Sequence, residues 1–144
     1  MSPEEHFRKL ERMYAPGPIN VFFRPSLRVG HSEAEVRIPV RPEFHHSAGA
    51  VHGAVYFKAL DDATFFAASS LVTDVFVLTA RFEIEFLRPV VEGEVRAVAR
   101  VVDASGRRIV VQGELHDAAG EVIGRGRGEF ARSKTPLGPS VHYE

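Results

Sequence analysis

One segment, AVHGAVYFKALDDATFFAASSL from Ala50 to Leu71, limits the possible folds more than any other part of the chain. It is the longest stretch of helix-forming sequence. Four strand-like runs follow it, namely VFVLTARFEIEFLRPV, GEVRAVARVVDA, RRIVVQGELHDA and EVIGRGRGEFAR. The joints VVEGE, DASGRR and DAAGE each contain a glycine and an acidic residue, as tight hairpins prefer. A long helix followed by an antiparallel meander predicts an α+β fold in which the sheet covers the helix.

Shorter elements are predicted before this helix. Ser2 is predicted to cap a helix that begins at Pro3 and ends at about Tyr14. The turn APGP ends that helix, and INVFF predicts a short strand. Polar and apolar residues alternate toward the end of the segment from Leu27 to Val40, which predicts a half-buried strand. The turn-forming segment RPEFHHSAGA then predicts a loop.

The composition is that of one globular domain. The chain has 144 residues, of which 44% are hydrophobic and 26% charged. It is long enough to bury a hydrophobic core and too short for two domains of ordinary size. We expect a single domain over residues 1–144. Within it we expect an N-terminal helix at about 3–14, a core at about 20–132 and a C-terminal tail at about 133–144.

Charge and cysteine content exclude several functions. The 18 basic and 19 acidic residues are mixed along the chain, so no basic surface for nucleic acid or for a membrane is expected. The absence of cysteine excludes disulfides, thiolate nucleophiles and thiolate metal sites. The N-terminal residues are charged, so no signal peptide is expected, and no apolar run approaches the roughly 18 to 20 residues of a membrane span. The expected location is the cytoplasm.

The two adjacent acids of the long helix are predicted to have different roles. Asp62 follows Lys58 by one turn, which predicts an exposed ion pair on the helix surface. Asp61 has Phe57 one turn before it and Phe65 one turn after it. Flanking phenyl rings desolvate a carboxylate, which raises its pKa and makes it a better base. The alternative is that Asp61 points to solvent at the edge of the helix.

The start of the helix indicates a second functional group. Gly49 and Gly53 have no side chains to cover the backbone at the start of the helix. The first turn of a helix has free N–H groups at the positive end of its dipole. A carbonyl oxygen that becomes negative during a reaction would be stabilised there. The alternative is that Gly53 merely allows close packing. An open helix start and a flanked carboxylate two turns later together resemble half of an acyl-transfer site.

The segment AGAVHGAVYFKALDDAT, followed by LTARFEIEFLRPVVEGE, resembles the hotdog-fold acyl-CoA thioesterases of the phenylacetic-acid-pathway, or PaaI-like, type. Their pattern is a His-Gly-Gly helix start, an Asp nine residues after that His, and a strand that ends in an apolar-x-Pro step. Here the start is His52-Gly53-Ala54, the acid is Asp61, and the resemblance covers about Ile38 to Phe130.

This resemblance implies a fold and an assembly. A five- or six-stranded antiparallel sheet would wrap one long central helix. Two protomers would pair their sheets edge to edge, and dimers would commonly pair again into tetramers. Each active site would lie between protomers, with the helix-start N–H from one protomer and the acid from the other.

The resemblance also assigns catalytic roles by position. Gly53 would supply the oxyanion-binding N–H, Asp61 would be the general base or nucleophile, and Thr79 would help to position the attacking water. Ala54 replaces the second glycine of the motif, and its small methyl group still lets a thioester approach. His46 stands where many members have an Asn that contacts the thioester, and a histidine there would carry a charge that varies near neutral pH.

Other assignments are open at this point. His45 is adjacent to His46 and is an equal candidate for the thioester contact. Arg107, Arg108, Arg125 and Arg127 are either exposed strand residues or contacts of the CoA phosphates. The expected substrate-binding residues are His52, Ala54, Phe57, Arg88, Arg107 and Arg108.

The remaining aromatic and histidine residues are interpreted structurally. Phe57, Phe65, Phe66 and Phe82 are expected mostly in the core. His45, His46 and His52 lack the helical spacing and the nearby carboxylate that a zinc site needs, so no metal is predicted.

We therefore expect an acyl-CoA thioesterase that works as a homo-oligomer without an added cofactor. One alternative is a hotdog-fold hydratase or dehydratase, which would need a His and a carboxylate facing each other across the site. Another is a non-catalytic acyl-CoA-binding protein, which would normally carry a DNA-binding domain for which this chain has no room.

Overall fold

The long central helix is confirmed, and a six-stranded antiparallel sheet wraps it. The computed structural model describes residues 1–144. Its helices are α1 (Pro3–Tyr14), α2 (Pro18–Phe23) and α3 (Gly53–Ser69), with short 3-10 helices at Pro42–Phe44 and Pro139–Val141. Its strands are β1 (Ser26–Gly30), β2 (Glu33–Pro39), β3 (Val75–Phe86), β4 (Glu94–Asp103), β5 (Ile109–His116) and β6 (Val122–Pro136).

The α+β class is confirmed, because α3 packs on one face of the sheet. Ala59, Leu60 and Ala63 of α3 are fully buried against it. Strand residues alternate between this core face and the opposite face, as Val36 and Ile38 of β2 show by their complete burial. No helix of the chain is long and apolar enough to cross a membrane.

The prediction of a simple four-strand meander is wrong. The strand order is β1-β2-β4-β5-β6-β3, so only β4, β5 and β6 form a meander and β3 pairs with β6 at the sheet edge. Residues 87–93, which contain most of VVEGE, are therefore a crossover and not a hairpin. Seven residues can extend over about 23 Å, which exceeds the roughly 14 Å between strands three positions apart.

Two elements before α3 also differ from expectation. INVFF is helical, because Pro18 fixes a helical φ at the first position of α2 and Arg24 ends it in the left-handed region. The single strand expected from Leu27 to Val40 is a hairpin of β1 and β2. Its turn places Ser32 at φ 60, a conformation that the alternation of the strands does not reveal.

The expected C-terminal tail is packed against the fold. Strand β6 continues to Pro136, where it still pairs with the start of β3. Tyr143 is buried, and its hydroxyl lies 2.7 Å from Nδ1 of His6. Nε2 of His6 lies 2.9 Å from the Ser69 carbonyl oxygen, so the chain end is attached to α1 and to the end of α3.

The two edges of the sheet are different. At the β1 edge, Arg8 of α1 donates to the Val29 carbonyl at 2.8 Å, and Glu11 accepts from the Val29 N–H at 2.8 Å. Helix α1 therefore occupies both outward-facing backbone groups of Val29, in an edge strand of only five residues. At the other edge, β3 pairs only with β6 and its outer side has no partner within the chain.

Candidate active site

One side of α3 faces β3 along its whole length, and the predicted acid lies in this contact. We call the facing residues the α3–β3 row. The four pairs are Gly53 with Phe86, Phe57 with Phe82, Asp61 with Thr79, and Phe65 with Phe76. Asp61 with Thr79 is the one polar pair in a row that is otherwise glycine and aromatic rings.

The row follows from the local geometry of both elements. The α3 members are four residues apart and so lie on one side of the helix. On β3, Thr79 and Phe82 are three residues apart and would face opposite sides of a regular strand. A β-bulge changes this, because the pairing with β6 shifts register between Thr79 and Arg81 and leaves Ala80 unpaired. The bulge therefore directs both side chains toward α3.

Asp61 lies in an environment that raises its pKa. Burial raises its pKa to about 6, and the hydrogen bond from Thr79 opposes that rise. The Thr79 hydroxyl donates to Oδ1 at 2.8 Å, whereas Oδ2 has no hydrogen-bond partner in the chain. One carboxylate oxygen is thus held in place and the other is available to take a proton. The alternative of a solvated Asp61 at the helix edge does not fit this burial.

The start of α3 offers one free N–H group. The Ala54 N–H donates to Nδ1 of His52 at 2.8 Å, and the Val55 N–H donates to the His52 carbonyl at 3.0 Å. The Gly53 N–H has no partner within the chain. The glycine itself has a packing role, since a Cβ at this position would lie 2.8 Å from a ring carbon of Phe86. Gly53 therefore combines close packing with an N–H group that is unpaired within the chain.

A small cleft at this helix start brings several expected residues together. It has a volume of about 280 Å³, and His46, Gly53 and Arg88 line it. Its remaining walls are Ala50, Val51, Tyr56, Phe86, Leu87 and Pro89. Arg88 is largely exposed and forms an ion pair with Glu121 at 3.4 Å.

The two adjacent histidines are directed differently. Nδ1 of His46 accepts from the Ala48 N–H at 3.1 Å, so a neutral His46 carries its proton on Nε2 and can donate it to a ligand. Nε2 of His45 instead bonds the Val91 carbonyl at 2.8 Å, and His45 does not line the cleft. The structure therefore places His46, and not His45, beside Gly53.

The expected catalytic residues are not all together in one protomer. Asp61 follows Gly53 by eight residues, so the two lie about 12 Å apart along α3. A single thioester carbonyl cannot contact both. Arg107 and Arg108 do not line the cleft at Gly53. They lie in the turn between β4 and β5, near the end of the sheet opposite to that cleft, where Arg108 forms an ion pair with Glu129 at 3.0 Å.

The prediction of an exposed ion pair at Asp62 is wrong in one respect. Lys58 and Asp62 do form the pair, at 2.6 Å, but their side chains are only 11% and 15% exposed. The Tyr14 hydroxyl also donates to Asp62, and Lys58 donates to Oδ1 of Asn20 at 2.6 Å. Helices α1 and α2 cover this flank of α3. Helical spacing alone contains no signal for Tyr14 or Asn20.

The other surface features hold none of the expected catalytic residues, but Arg125 and Arg127 line the larger of them. A larger groove of about 1220 Å³ lies on the face of the sheet opposite α3, and alternating arginine and glutamate side chains dominate its lining. No group of three His, Cys, Asp or Glu side chains is arranged to hold a metal ion.

Known proteins are similar to this chain in sequence or in fold. The family model described as the thioesterase superfamily matches residues 48–123. The conserved protein PA5202 from Pseudomonas aeruginosa is 30% identical, with a TM-score of 0.76 over 81% of this chain and 94% of that one. The PaaI protein of the Escherichia coli phenylacetic acid degradation operon is 19% identical, with a TM-score of 0.84 over 93% and 97% of the two chains. Thioesterase HI1161 from Haemophilus influenzae is 18% identical, with a TM-score of 0.76 over 86% and 87%.

Proposed function

Because the chain belongs to the thioesterase superfamily and has its hotdog fold, we propose that it hydrolyses an acyl-CoA thioester to a free acid and coenzyme A. The observation that carries this proposal is the α3–β3 row. It contains one polar pair, Asp61 with Thr79, in an otherwise apolar contact. A desolvated carboxylate with one free oxygen is suited to accept a proton from water at neutral pH.

The proposed enzyme is a homodimer, with a dimer of dimers as the larger assembly that the resemblance implies. The open β3 edge supports the dimer, because an unpaired strand of 12 residues is a template for another strand. An antiparallel β3–β3 contact related by a two-fold axis reverses the second protomer. The Gly53 end of one α3 then approaches the middle of the other, which would place Asp61 of one protomer and Gly53 of its partner at the same thioester.

In this mechanism the thioester carbonyl oxygen accepts hydrogen bonds from the Gly53 N–H and from Nε2–H of His46. Both donors stabilise the negative charge that develops in the tetrahedral intermediate. Asp61 of the partner removes a proton from water, whose oxygen forms a bond to the carbonyl carbon. The carbon–sulfur bond then breaks, and the CoA thiolate leaves and takes up the proton. Thr79 holds Asp61 in the orientation that this transfer requires.

The substrate-binding residues divide between the two ends of the protomer. Arg88 and the cleft at the start of α3 would bind the thioester end of CoA and its nearest phosphates, with His52 and Ala54 forming the helix start. Phe57 is 41% exposed and would contact the acyl group beside Asp61. Arg107 and Arg108 would reach the same CoA only from the partner protomer.

The test is an assay of free CoA release from short, long and aryl acyl-CoAs, with enoyl-CoA hydration measured on the same preparation. We expect CoA release, and we expect Asp61→Asn to lower its rate by roughly 10² to 10⁴, the usual range for loss of a general base. Glu92→Gln removes an exposed carboxylate and serves as the control. Hydration without CoA release would instead identify a hydratase, and binding without either reaction would identify a binding protein.

A further inference from the structure

A buried polar cluster lies on the flank of α3 beside Asp61, and the proposed reaction does not use it. We call it the Lys58 cluster, and it consists of Tyr14, Asn20, Lys58 and Asp62. Lys58 Nζ donates to Asp62 Oδ2 at 2.6 Å and to Asn20 Oδ1 at 2.6 Å, and the Tyr14 hydroxyl donates to Asp62. Three helices thus hold one positive and one negative charge in fixed positions.

Stability alone gives no reason for this cluster. Removing two charges from water costs about as much as their attraction returns, so a well-packed apolar pair would hold α3 to α1 and α2 equally well. The cluster is also tightly held. The amide nitrogen of Asn20 donates to the Tyr14 carbonyl at 2.6 Å, and the rings of Tyr14 and Phe23 lie within 5.5 Å of Lys58 Nζ.

The position of the two charges relates them to Asp61. Asp62 is the next residue of α3, and Lys58 lies about one turn before Asp61. After the larger effect of burial, Asp62 raises the pKa of Asp61 and Lys58 lowers it. Tyr14 on α1 is the other titratable group near the pair, and β3 contributes only the uncharged Thr79.

We propose that Lys58 and Asp62 are positioning residues for the base, acting on the Asp61 carboxylate with opposite sign and offsetting each other. This inference rests on the proposed role of Asp61. Tyr14 and Asn20 hold the two charges where they balance. Removal of either charge therefore changes the pH at which Asp61 ionises, in the direction that the remaining charge dictates.

The test compares Asp62→Asn, Lys58→Met and the double variant. Asp62→Asn leaves the Lys58 ammonium unbalanced, so the acid limb of the kcat/KM profile is expected to move down by about one pH unit. Lys58→Met removes the cation that lowers the pKa of both Asp61 and Asp62. The limb is therefore expected to move up, by less than about one pH unit because burial then favours the protonated form of Asp62 as well. The acid limb of the double variant is expected to lie close to that of the wild-type protein. A merely structural role would not produce shifts of opposite sign.

A second readout does not depend on turnover. Carboxyl ¹³C NMR of aspartate-labelled protein, with the Asp61 signal assigned by Asp61→Asn, measures the ionisation of Asp61 without substrate. The same opposite shifts are expected there. If they occur in a protein that releases no CoA, the charge balance is supported and the proposed hydrolysis is not.

Matched controls separate this local effect from a change in net charge. Glu92→Gln and Lys134→Met each remove one exposed charge, and we expect neither to move the Asp61 titration by more than about 0.2 pH units. If Lys58→Met does not fold, Asp62→Asn and the double variant decide the test. Shifts of the same sign, or shifts no larger than those of the controls, would overturn the inference.

Discussion

As the proposed base, Asp61 meets two requirements that oppose each other in a folded protein. A base must be ionised to work, but burial penalises its ionised form. The Thr79 hydroxyl reduces that penalty with one hydrogen bond and leaves the second oxygen free. The site is therefore expected to lower the stability of the protein at the pH where it is active.

Asp61→Asn is expected to stabilise the protein at pH 7.5 by about 1 to 3 kcal/mol and to have little effect at pH 4. The folded pKa is about 6, against about 3.9 in an unfolded chain. As the pH rises between these values, the unfolded chain releases its proton first, so wild-type stability falls. Asparagine has no proton to release. Urea unfolding at both pH values measures the difference, and Glu92→Gln should show none. An equal effect of Asp61→Asn at both pH values would contradict this account.

Sequence reasoning was effective at residues whose environment is local. The spacing of Phe57 and Phe65 indicated a desolvated Asp61, because residues four apart on a helix are neighbours. Helical spacing does not predict the burial of Asp62, because that burial depends on Tyr14, 48 positions earlier in the chain. The choice between His45 and His46 depends on two loop hydrogen bonds, which no periodic pattern specifies.

At the scale of elements, the start of α3 is fitted to the end of β3. Gly53 has no side chain because the Phe86 ring occupies that space. The same residue presents the free N–H of the helix start. A substitution at Gly53 therefore has two separable effects, one on packing and one on hydrogen bonding.

Two substitutions in a Phe86→Leu background are expected to separate these effects. Gly53→Ala adds a Cβ and keeps the N–H, so its kcat/KM should stay within about threefold of the background. Gly53→Pro adds a similar bulk, suits the first position of a helix and removes the N–H, so kcat should fall roughly 10²- to 10³-fold. Steady-state kinetics and thermal unfolding measure both. Equal activity of the Ala and Pro variants would exclude Gly53 as the oxyanion donor.

The sequence predicted the type of most elements but not their neighbours. The run FEIEF alternates with a phase different from that of VLT before it, and this change marks the bulge that directs Thr79 and Phe82 to the same face. The sheet order has no such signal, because hairpin turns and crossovers use similar residues. For α2, the β-forming residues of INVFF predict a strand, whereas Pro18 at the first helical position and the packing of Phe23 on Phe44 favour the helix.

At the scale of the molecule, the roughly 12 Å between Gly53 and Asp61 means that in the proposed mechanism each protomer holds only part of a site. Mixing two inactive proteins should therefore restore activity, if one carries Asp61→Asn and the other Gly53→Pro with Phe86→Leu. Random exchange of subunits gives half hybrids, each with one intact site of two. That site combines the unchanged Gly53 and Phe86 of one chain with Asp61 of the other, so about a quarter of the wild-type activity is expected.

The assay needs a mass measurement beside it. Light scattering at micromolar concentration should give at least a dimer for each variant. As the control, Asp61→Asn mixed with wild type should give only the activity of the wild-type sites that remain. A monomer mass, or no recovery after complete exchange, would show that each site belongs to one chain.

The contact of α1 with β1 has a consequence for how growth of the sheet stops. A sheet whose two edge strands are both open allows copies to add to either side without end, as in a fibre. Arg8 and Glu11 occupy the Val29 backbone groups, which hinders pairing of a copy at the β1 edge and leaves the β3 edge open. In the proposed dimer, two copies joined through β3 would leave no fully open strand edge for a third. The N-terminal helix would then help to limit the sheet to a closed pair, and its loss is expected to favour a propagating association.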